Sequence, residues 1–231
     1  SPDFVGAFCC IMVLYNERMQ ALDFSADIQL LNQHNADLVI GIDEVGRGAW
    51  AGPVCIGAFV LDINSFKLID GINDSKLVPK QKRQELSSLL QPTNHLVLTG
   101  SLEDINQVGI GQTISQLITS AISQLNESLM QQNKRAVYII DGQFKTDFGN
   151  QTVKQNKADS TFYSVAAASI LAKVYRDELM SQLHLSYNHY GFDRNKGYPT
   201  KEHLNALKIY GASQIHRTSF KPILSYEKNR N

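Results

Sequence analysis

Acidic side chains follow two apolar runs of this chain, and acids in such places can do chemistry. Asp43 and Glu44 end the run at residues 39–42, and Asp141 ends the run at residues 136–140. An unpaired carboxylate in a poorly hydrated place costs roughly several kcal/mol, so a cation is expected beside a buried strand that ends on acids. Solvated turns explain the first pair equally well, because glycines follow it and are ordinary turn residues.

A fourth acid, Asp159, precedes a long predicted helix. Taken singly, Asp159 is better explained as a helix cap and Asp141 as a turn residue. Oxygen ligands without His or Cys nearby select hard cations, Mg or Mn, and two divalent ions would neutralise four carboxylates. Two ions about 3.5–4 Å apart are used for in-line displacement at a phosphodiester. The set therefore predicts catalytic metal ligands at Asp43, Glu44, Asp141 and Asp159.

Hydrophobic patterning predicts the strands that carry these acids. Strands are expected at residues 38–43, 54–61, 95–102 and 136–140, the first two as antiparallel neighbours. Ligands collect at strand ends in α/β sheets, so Asp43 and Asp141 face one another if their strands are neighbours. Strand alternation points Glu44 the opposite way unless the strand ends or twists there. Residues 152–159 are predicted as a polar connector.

The predicted helices surround this sheet. They cover residues 24–35, 81–90, a long stretch that opens at residues 109–111, the strongest segment at 161–185, and 202–210. In the 161–185 helix, the side chains of residues 166–169 are small enough for close backbone approach. The order of elements predicts one α/β domain, residues 19–190, with a small C-terminal helical appendage, residues 191–231.

Composition bounds the class of protein. The chain has 231 residues, 43% of them hydrophobic, and a net charge of zero, which argues against non-specific coating of nucleic acid. Cys9, Cys10 and Cys55 lack zinc or disulfide spacing, so a reduced, cytoplasmic setting is expected. The longest apolar run, residues 9–14, is too short to span a membrane. Residues 1–18 fit nothing downstream and are interpreted as an extension or cloning remnant.

Further motifs join the acids in a fixed order. The chain resembles ribonuclease HII, the type 2 ribonuclease H family, over about residues 36–222. The matching segments are GIDEVGRGAWAGP at 41–53, DSK at 74–76, IDG at 140–142, KADS at 157–160, AAASILAKVYRD at 166–177, GYPT at 197–200 with His203, and HRTSF at 216–220. Arg47, Asp159 and the short N-terminus favour type 2 over type 3.

The resemblance implies a ribonuclease H-like mixed sheet flanked by helices and a metal-dependent endonuclease. It implies that Gly46, Arg47 and Gly48 grip the ribonucleotide and that Tyr198 stacks beside the RNA–DNA junction. Such an enzyme cuts RNA in RNA–DNA hybrids, and cuts 5′ of a single ribonucleotide in duplex DNA, leaving 3′-hydroxyl and 5′-phosphate ends. Glycines suit this task because main chain can approach a 2′-hydroxyl closely, and that hydroxyl distinguishes RNA from DNA.

The remaining motif residues receive less specific predictions. His203 and His216 are expected to be structural hydrogen-bonding residues, and Trp50, which departs from the family pattern together with Ala49, is expected to pack. A solvated helix face is an equal alternative for Lys173 and Arg176. Phosphate contacts are predicted for Lys76, Lys173, Arg176, Arg217 and Ser219.

The expected partners are RNA–DNA hybrids and ribonucleotide-containing duplexes, with no membrane and a monomeric chain. Some members of the family dock onto the replication sliding clamp through a short C-terminal motif, which is not identifiable in this sequence. Two other functions compete: a non-catalytic nucleic-acid-binding module with structural acids, and a phosphohydrolase of small molecules using the same metals. Neither accounts for Tyr198 together with the glycine turn.

Overall fold

A computed structural model describes residues 22–227 of the chain. The expectation for residues 1–18 lies outside the described residues. A five-stranded mixed sheet forms the centre, with the strand order β3-β2-β1-β4-β5. Its strands are β1 (Leu38–Val45), β2 (Val54–Leu61), β3 (His95–Gly100), β4 (Ala136–Asp141) and β5 (Thr152–Gln155).

Strand pairing divides the sheet into two parts. β2 is antiparallel to both β1 and β3, which forms a meander. β4 lies parallel to β1 and to β5. This arrangement confirms the predicted mixed sheet and the antiparallel pairing of the first two strands.

Helices cover both faces of the sheet and extend beyond it. They are α1 (Ser25–His34), α2 (Lys80–Leu90), α3 (Leu102–Val108), α4 (Ile110–Gln131), α5 (Tyr163–Ser186), α6 (Phe192–Asn195), α7 (Lys201–Tyr210) and α8 (Lys221–Glu227). Two 3₁₀ turns lie at Ala158–Ser160 and Asn188–Tyr190. Between residues 22 and 227, no helix is both long and apolar enough to cross a membrane.

Alternation along β1 sends its side chains to two different cores. Val39 packs with α5 on one face, while Ile40 and Ile42 pack with α4 on the other. Asp43 therefore lies on the α5 face and Glu44 on the α4 face, because successive strand residues point to opposite sides. A third cluster joins the C-terminal helices to the end of α5 through Met180 and Phe192.

The predicted small residues of α5 allow close contact with the sheet. A Cβ atom added to Gly41 would lie 2.2 Å from the carbonyl carbon of Ser164, and one added to Gly57 would lie 2.3 Å from the carbonyl oxygen of Ala168. Close helix–sheet contact at this point brings the middle of α5 against the acidic end of β1.

Three predictions for the sheet are wrong. The segment predicted as a connector contains the edge strand β5, and β1 continues past Asp43 to Val45. The third strand ends at Gly100, because the next residue, Ser101, caps α3 through a reciprocal hydrogen-bond pair with Asp104.

Candidate active site

Three of the four predicted acids meet at one edge of the sheet. Ligand oxygens of Asp43, Asp141 and Asp159 all lie within 4.8 Å of one another. Asp43 is 7% exposed and Asp159 is 4% exposed, so both carboxylates are largely shielded from solvent. A cluster of carboxylate oxygens of this size fits a hard divalent cation.

Strand register explains the meeting. Ile42 of β1 pairs with Ile140 of the parallel strand β4, so the next residues, Asp43 and Asp141, end up side by side. Asp159 arrives from the 3₁₀ turn after β5. The amide of Ala158 in that turn donates a 2.7 Å hydrogen bond to Asp141 Oδ1, which ties the turn to the strand end.

Burial and mutual repulsion disfavour the charged forms of these acids. Burial, followed by the negative charges of Glu44 and Asp141, raises the pKa of Asp43 well above its usual value. Burial and the neighbouring Asp74 and Asp141 raise the pKa of Asp159 to about 6. Carboxylates that repel one another in a poorly hydrated place favour either protons or a cation between them.

Glu44 lies beside this cluster and is not one of its three members. Its backbone amide donates to Asp43 Oδ1 at 2.7 Å, while its side chain pairs with Arg47 at 3.3 Å. Burial raises the pKa of Glu44, although the Arg47 charge acts in the opposite direction. Strand alternation points the Glu44 side chain away from that of Asp43, although both residues line the same cleft.

One cleft of about 410 Å³ is lined by Asp43 and Glu44 together with the glycine turn and Tyr198. Gly46 has φ +91°, a conformation in which a side chain is strained. A Cβ atom on Gly48 would lie 4.0 Å from Tyr198 Cε1, so the tyrosine ring borders the turn. Arg47 is largely exposed at the mouth of the cleft.

Lys76 and Lys173 also line this cleft. Burial lowers the pKa of Lys76, but the surrounding acids outweigh it and raise the pKa overall. Lys173 donates to Asp177 at 2.6 Å, and burial lowers its pKa. The ammonium group of Lys76 therefore remains positive next to the acids.

The sequence analysis did not identify two serines that line the cleft, Ser75 and Ser169. The hydroxyl oxygens of Ser169 on α5 and Ser75 are 2.9 Å apart, and both residues line the cleft beside Asp43. The Ser169 hydroxyl also stabilises the charged form of Asp43 through a hydrogen bond. The signal was present, since Ser169 ends the small-residue run of α5 and Ser75 lies within the DSK motif.

The structure does not place Arg176 and Arg217 where phosphate could be bound. Both side chains are 0% exposed. Arg176 donates to the carbonyl groups of Pro53, Lys196 and Ala51. Arg217 donates to the carbonyl groups of Gly52, Arg47 and Pro53, each at 3.0 Å. Their guanidinium groups are used in hydrogen bonds that hold the loop after the glycine turn. The predicted phosphate contacts of Arg176 and Arg217 are therefore replaced by a structural role.

Ser219 lies outside the lining of the cleft. Its amide donates to Asn106 Oδ1 at 3.1 Å and its hydroxyl donates to the carbonyl of Ile105 at 3.1 Å. These bonds tie the C-terminal segment to α3. Ser219 is exposed, and both of these hydrogen bonds join it to other residues of the protein.

The expectations for the histidines and the tryptophan agree with the structure. His203 and His216 are buried and hydrogen-bonded to each other, Nε2 to Nε2, at 3.0 Å. Trp50 is partly buried against the C-terminal cluster. Its amide donates to the carbonyl of Gly197 at 2.8 Å, so the segment after the glycine turn is bonded to the residue before Tyr198.

Comparison with known proteins identifies the family. The sequence model of the family "Ribonuclease HII" matches residues 40–223. A ribonuclease HII of Chlamydia pneumoniae is 40% identical over 216 residues, which cover 92% of this chain and 91% of that protein. One from Chlamydia trachomatis serovar A is 42% identical over 188 residues, covering 80% of this chain and 82% of the relative.

Solved structures share the fold. Ribonuclease H2 of Pyrococcus horikoshii superposes with a TM-score of 0.65 at 24% identity, covering 84% of this chain and 100% of that one. Ribonuclease HII in a complex with PCNA from Archaeoglobus fulgidus gives a TM-score of 0.66 at 22% identity, covering 80% and 95%. From the matched family model and the relatives of similar length, the chain belongs to the ribonuclease HII family and is a metal-dependent ribonuclease, a hydrolase.

Proposed function

We propose that this enzyme hydrolyses the RNA strand of RNA–DNA hybrids and cuts 5′ of single ribonucleotides embedded in duplex DNA. The observation that carries this proposal is the position of Asp43, which belongs to the cluster of three carboxylates and also lines the cleft that holds the glycine turn and Tyr198. Its products would be 3′-hydroxyl and 5′-phosphate ends.

The acidic residues would hold the metal. Asp43, Asp141 and Asp159 provide the converging oxygens, and Glu44 would provide a further oxygen from the adjacent strand position. Two divalent ions, Mg or Mn, would activate the attacking water and stabilise the departing 3′-oxygen. With water activated in this way, no side chain would have to act as general base, and the cleft lining includes no histidine.

The glycine turn and the tyrosine would select the substrate. The main chain of Gly46, Arg47 and Gly48 can approach a ribose closely, and the Tyr198 ring forms the wall beside it. A site that bonds a 2′-hydroxyl rejects deoxyribose strongly, because its own polar groups are otherwise left unpaired. Lys76 and Lys173 line the same cleft and would meet the phosphates.

The test uses an end-labelled DNA duplex that carries one ribonucleotide, incubated with magnesium or manganese. A single cut on the 5′ side of that ribonucleotide is expected, and it should disappear in chelator and with the all-deoxy duplex. Binding without cleavage under either metal would instead favour a binding module. Turnover of simple phosphate esters without oligonucleotide cleavage would favour a small-molecule phosphohydrolase.

A further inference from the structure

Two buried histidines lie directly behind Tyr198. His203 on α7 and His216 in the loop after it are both 0% exposed. Aromatic rings enclose them: the Tyr190 and His216 centroids are 4.8 Å apart, and those of Phe192 and His203 are 5.4 Å apart. Water is largely excluded from these imidazoles, so each ring nitrogen depends on a protein partner.

The partners at the two ends fix every proton of the pair. The backbone amide of Ser213 can only donate, and it lies 2.9 Å from His216 Nδ1, which must therefore accept. His216 then carries its proton on Nε2 and donates to His203 Nε2 at 3.0 Å. His203 is left with a proton on Nδ1, which it donates to the Tyr198 carbonyl at 3.0 Å. These directions follow because a neutral imidazole has one donor and one acceptor.

Both rings are neutral in this arrangement. A second proton on His203 would lie on Nε2 and point at the Nε2–H group of His216. A second proton on His216 would lie on Nδ1 and point at the N–H group of Ser213. Burial lowers the pKa of both histidines, and for His216 burial with repulsion from His203 brings it to about 3. The titratable groups facing the pair are His189 and Tyr190 from the 3₁₀ turn, Glu202 from α7, and Tyr198 itself.

The pair also touches the segment that follows the glycine turn. Ala51 forms an isolated antiparallel bridge with His216. The Tyr198 carbonyl accepts a second hydrogen bond, from the Thr200 amide at 2.8 Å. The histidines therefore connect the main chain of Tyr198 with the main chain that continues from the turn.

We propose that His203 and His216 are positioning residues, forming a neutral hydrogen-bond relay from Ser213 that sets Tyr198 against Gly48. The relay acts on the Tyr198 carbonyl and so places the ring, while neither histidine touches the substrate. This inference rests on the proposed function, because it gives Tyr198 its task in ribonucleotide selection.

The proton positions provide the first test, independent of any activity. Long-range ¹⁵N–¹H spectra of the full chain labelled at histidine should show His203 protonated on Nδ1 only and His216 on Nε2 only at pH 7. The opposite tautomers, or a charged ring at that pH, would overturn the relay.

Two near-isosteric variants provide the second test. In His203→Asn the side-chain amide nitrogen occupies the position of Nδ1 and keeps the hydrogen bond to the Tyr198 carbonyl. In His203→Gln the amide group occupies the position of Nε2, and the hydrogen bond to Tyr198 is lost. For a duplex with one ribonucleotide, kcat/KM of His203→Gln should be roughly 3- to 10-fold lower than that of His203→Asn. Equal values for the two variants would contradict a role through Tyr198.

A Tyr198→Ala background separates positioning from general destabilisation. With the ring absent, the difference between the two His203 variants should vanish, because coupled residues are not additive. A difference that persists unchanged would contradict the proposal. If the wild-type enzyme fails to cut at the ribonucleotide, the proposed function fails, and the tautomers alone then support or overturn the relay.

Discussion

Asp43 is a buried acid whose neighbours are acids. We expect Asp43→Asn to lower cleavage by roughly 10²- to 10³-fold or more, since it removes a charge from the metal-binding cluster. Substrate affinity should stay the same or increase, because repulsion between the site and the phosphate backbone falls. Cleavage rates and binding to a ribonucleotide-containing duplex measure the two effects separately.

Glu127→Gln is the matched control for this change, as Glu127 is exposed on α4. It should leave both rate and affinity unaltered. A parallel loss of cleavage and binding in Asp43→Asn would speak against a role in metal binding.

At the residue scale, the sequence identified acids more reliably than cations. Asp43 and Asp141 end apolar runs, so their strand-end placement follows from local pattern. Arg176 and Arg217 gave no such signal, because all but one of their partners are carbonyl groups of residues 47–53, more than a hundred positions away. Burial of an arginine depends on those distant carbonyls and cannot be inferred from its own neighbours.

At the element scale, the loop at residues 47–53 depends on Arg217. Arg217→Lys keeps a charge but loses the planar set of three donors, leaving buried carbonyls unpaired. We expect a cost of about 2–4 kcal/mol, which corresponds to a fall in Tm of roughly 5–15 °C for a chain of this size. Arg135→Lys, at an exposed ion pair with Asp37, should change Tm very little.

Helix α5 begins without a capping side chain of its own, and Asp27 of α1 provides one. Asp27 accepts from the Tyr163 amide at 2.9 Å and from the Ser164 amide at 3.4 Å. Burial raises the pKa of Asp27 from its usual 3.8 to about 6. The folded protein therefore binds this proton more tightly than the unfolded chain does, so the contribution of Asp27 to stability is greatest below pH 4 and falls as pH rises to about 6.

Asp27→Asn should remove that pH dependence and keep one of the two oxygens that accept from the Tyr163 and Ser164 amides. Relative to wild type, the variant should gain free energy of unfolding between pH 4 and pH 7, by at most about 3 kcal/mol. Denaturant titrations at the two pH values measure the difference. If the free energies of unfolding of variant and wild type differ by the same amount at pH 4 and pH 7, Asp27 is not the group with the raised pKa.

Short edge elements were the hardest to predict. β5 consists of Thr-Val-Lys-Gln, all half-buried, and lacks the apolar run that revealed β1 and β4. Pairing with β4 makes it a strand, and that pairing is a tertiary property. Its position matters, because the turn after it delivers Asp159 to the other acids.

At the scale of the whole molecule, the site depends on how closely α5 approaches the sheet. Asp43 projects toward α5, where Ser169 bonds to Ser75, so the depth of this contact sets the cleft floor. The small residues of α5 predicted the contact from sequence. Gly41 in β1 and Gly57 in β2 allow this close contact, because a methyl group added at either position would collide with the backbone of α5.

Gly41→Ala tests this packing directly. The added methyl group would meet the backbone of Ser164 and Val165 at 2.2–2.4 Å, and backbone cannot move aside cheaply. We expect a loss of at least roughly 3 kcal/mol in the free energy of unfolding, or failure to fold. Gly111→Ala is the matched control, because Gly111 lies within α4 with nothing within 4 Å of an added Cβ. That change should stabilise the protein by about 0.5–1 kcal/mol, since alanine favours helix over glycine. Equal effects of the two substitutions in denaturant unfolding would mean that α5 does not rest on Gly41.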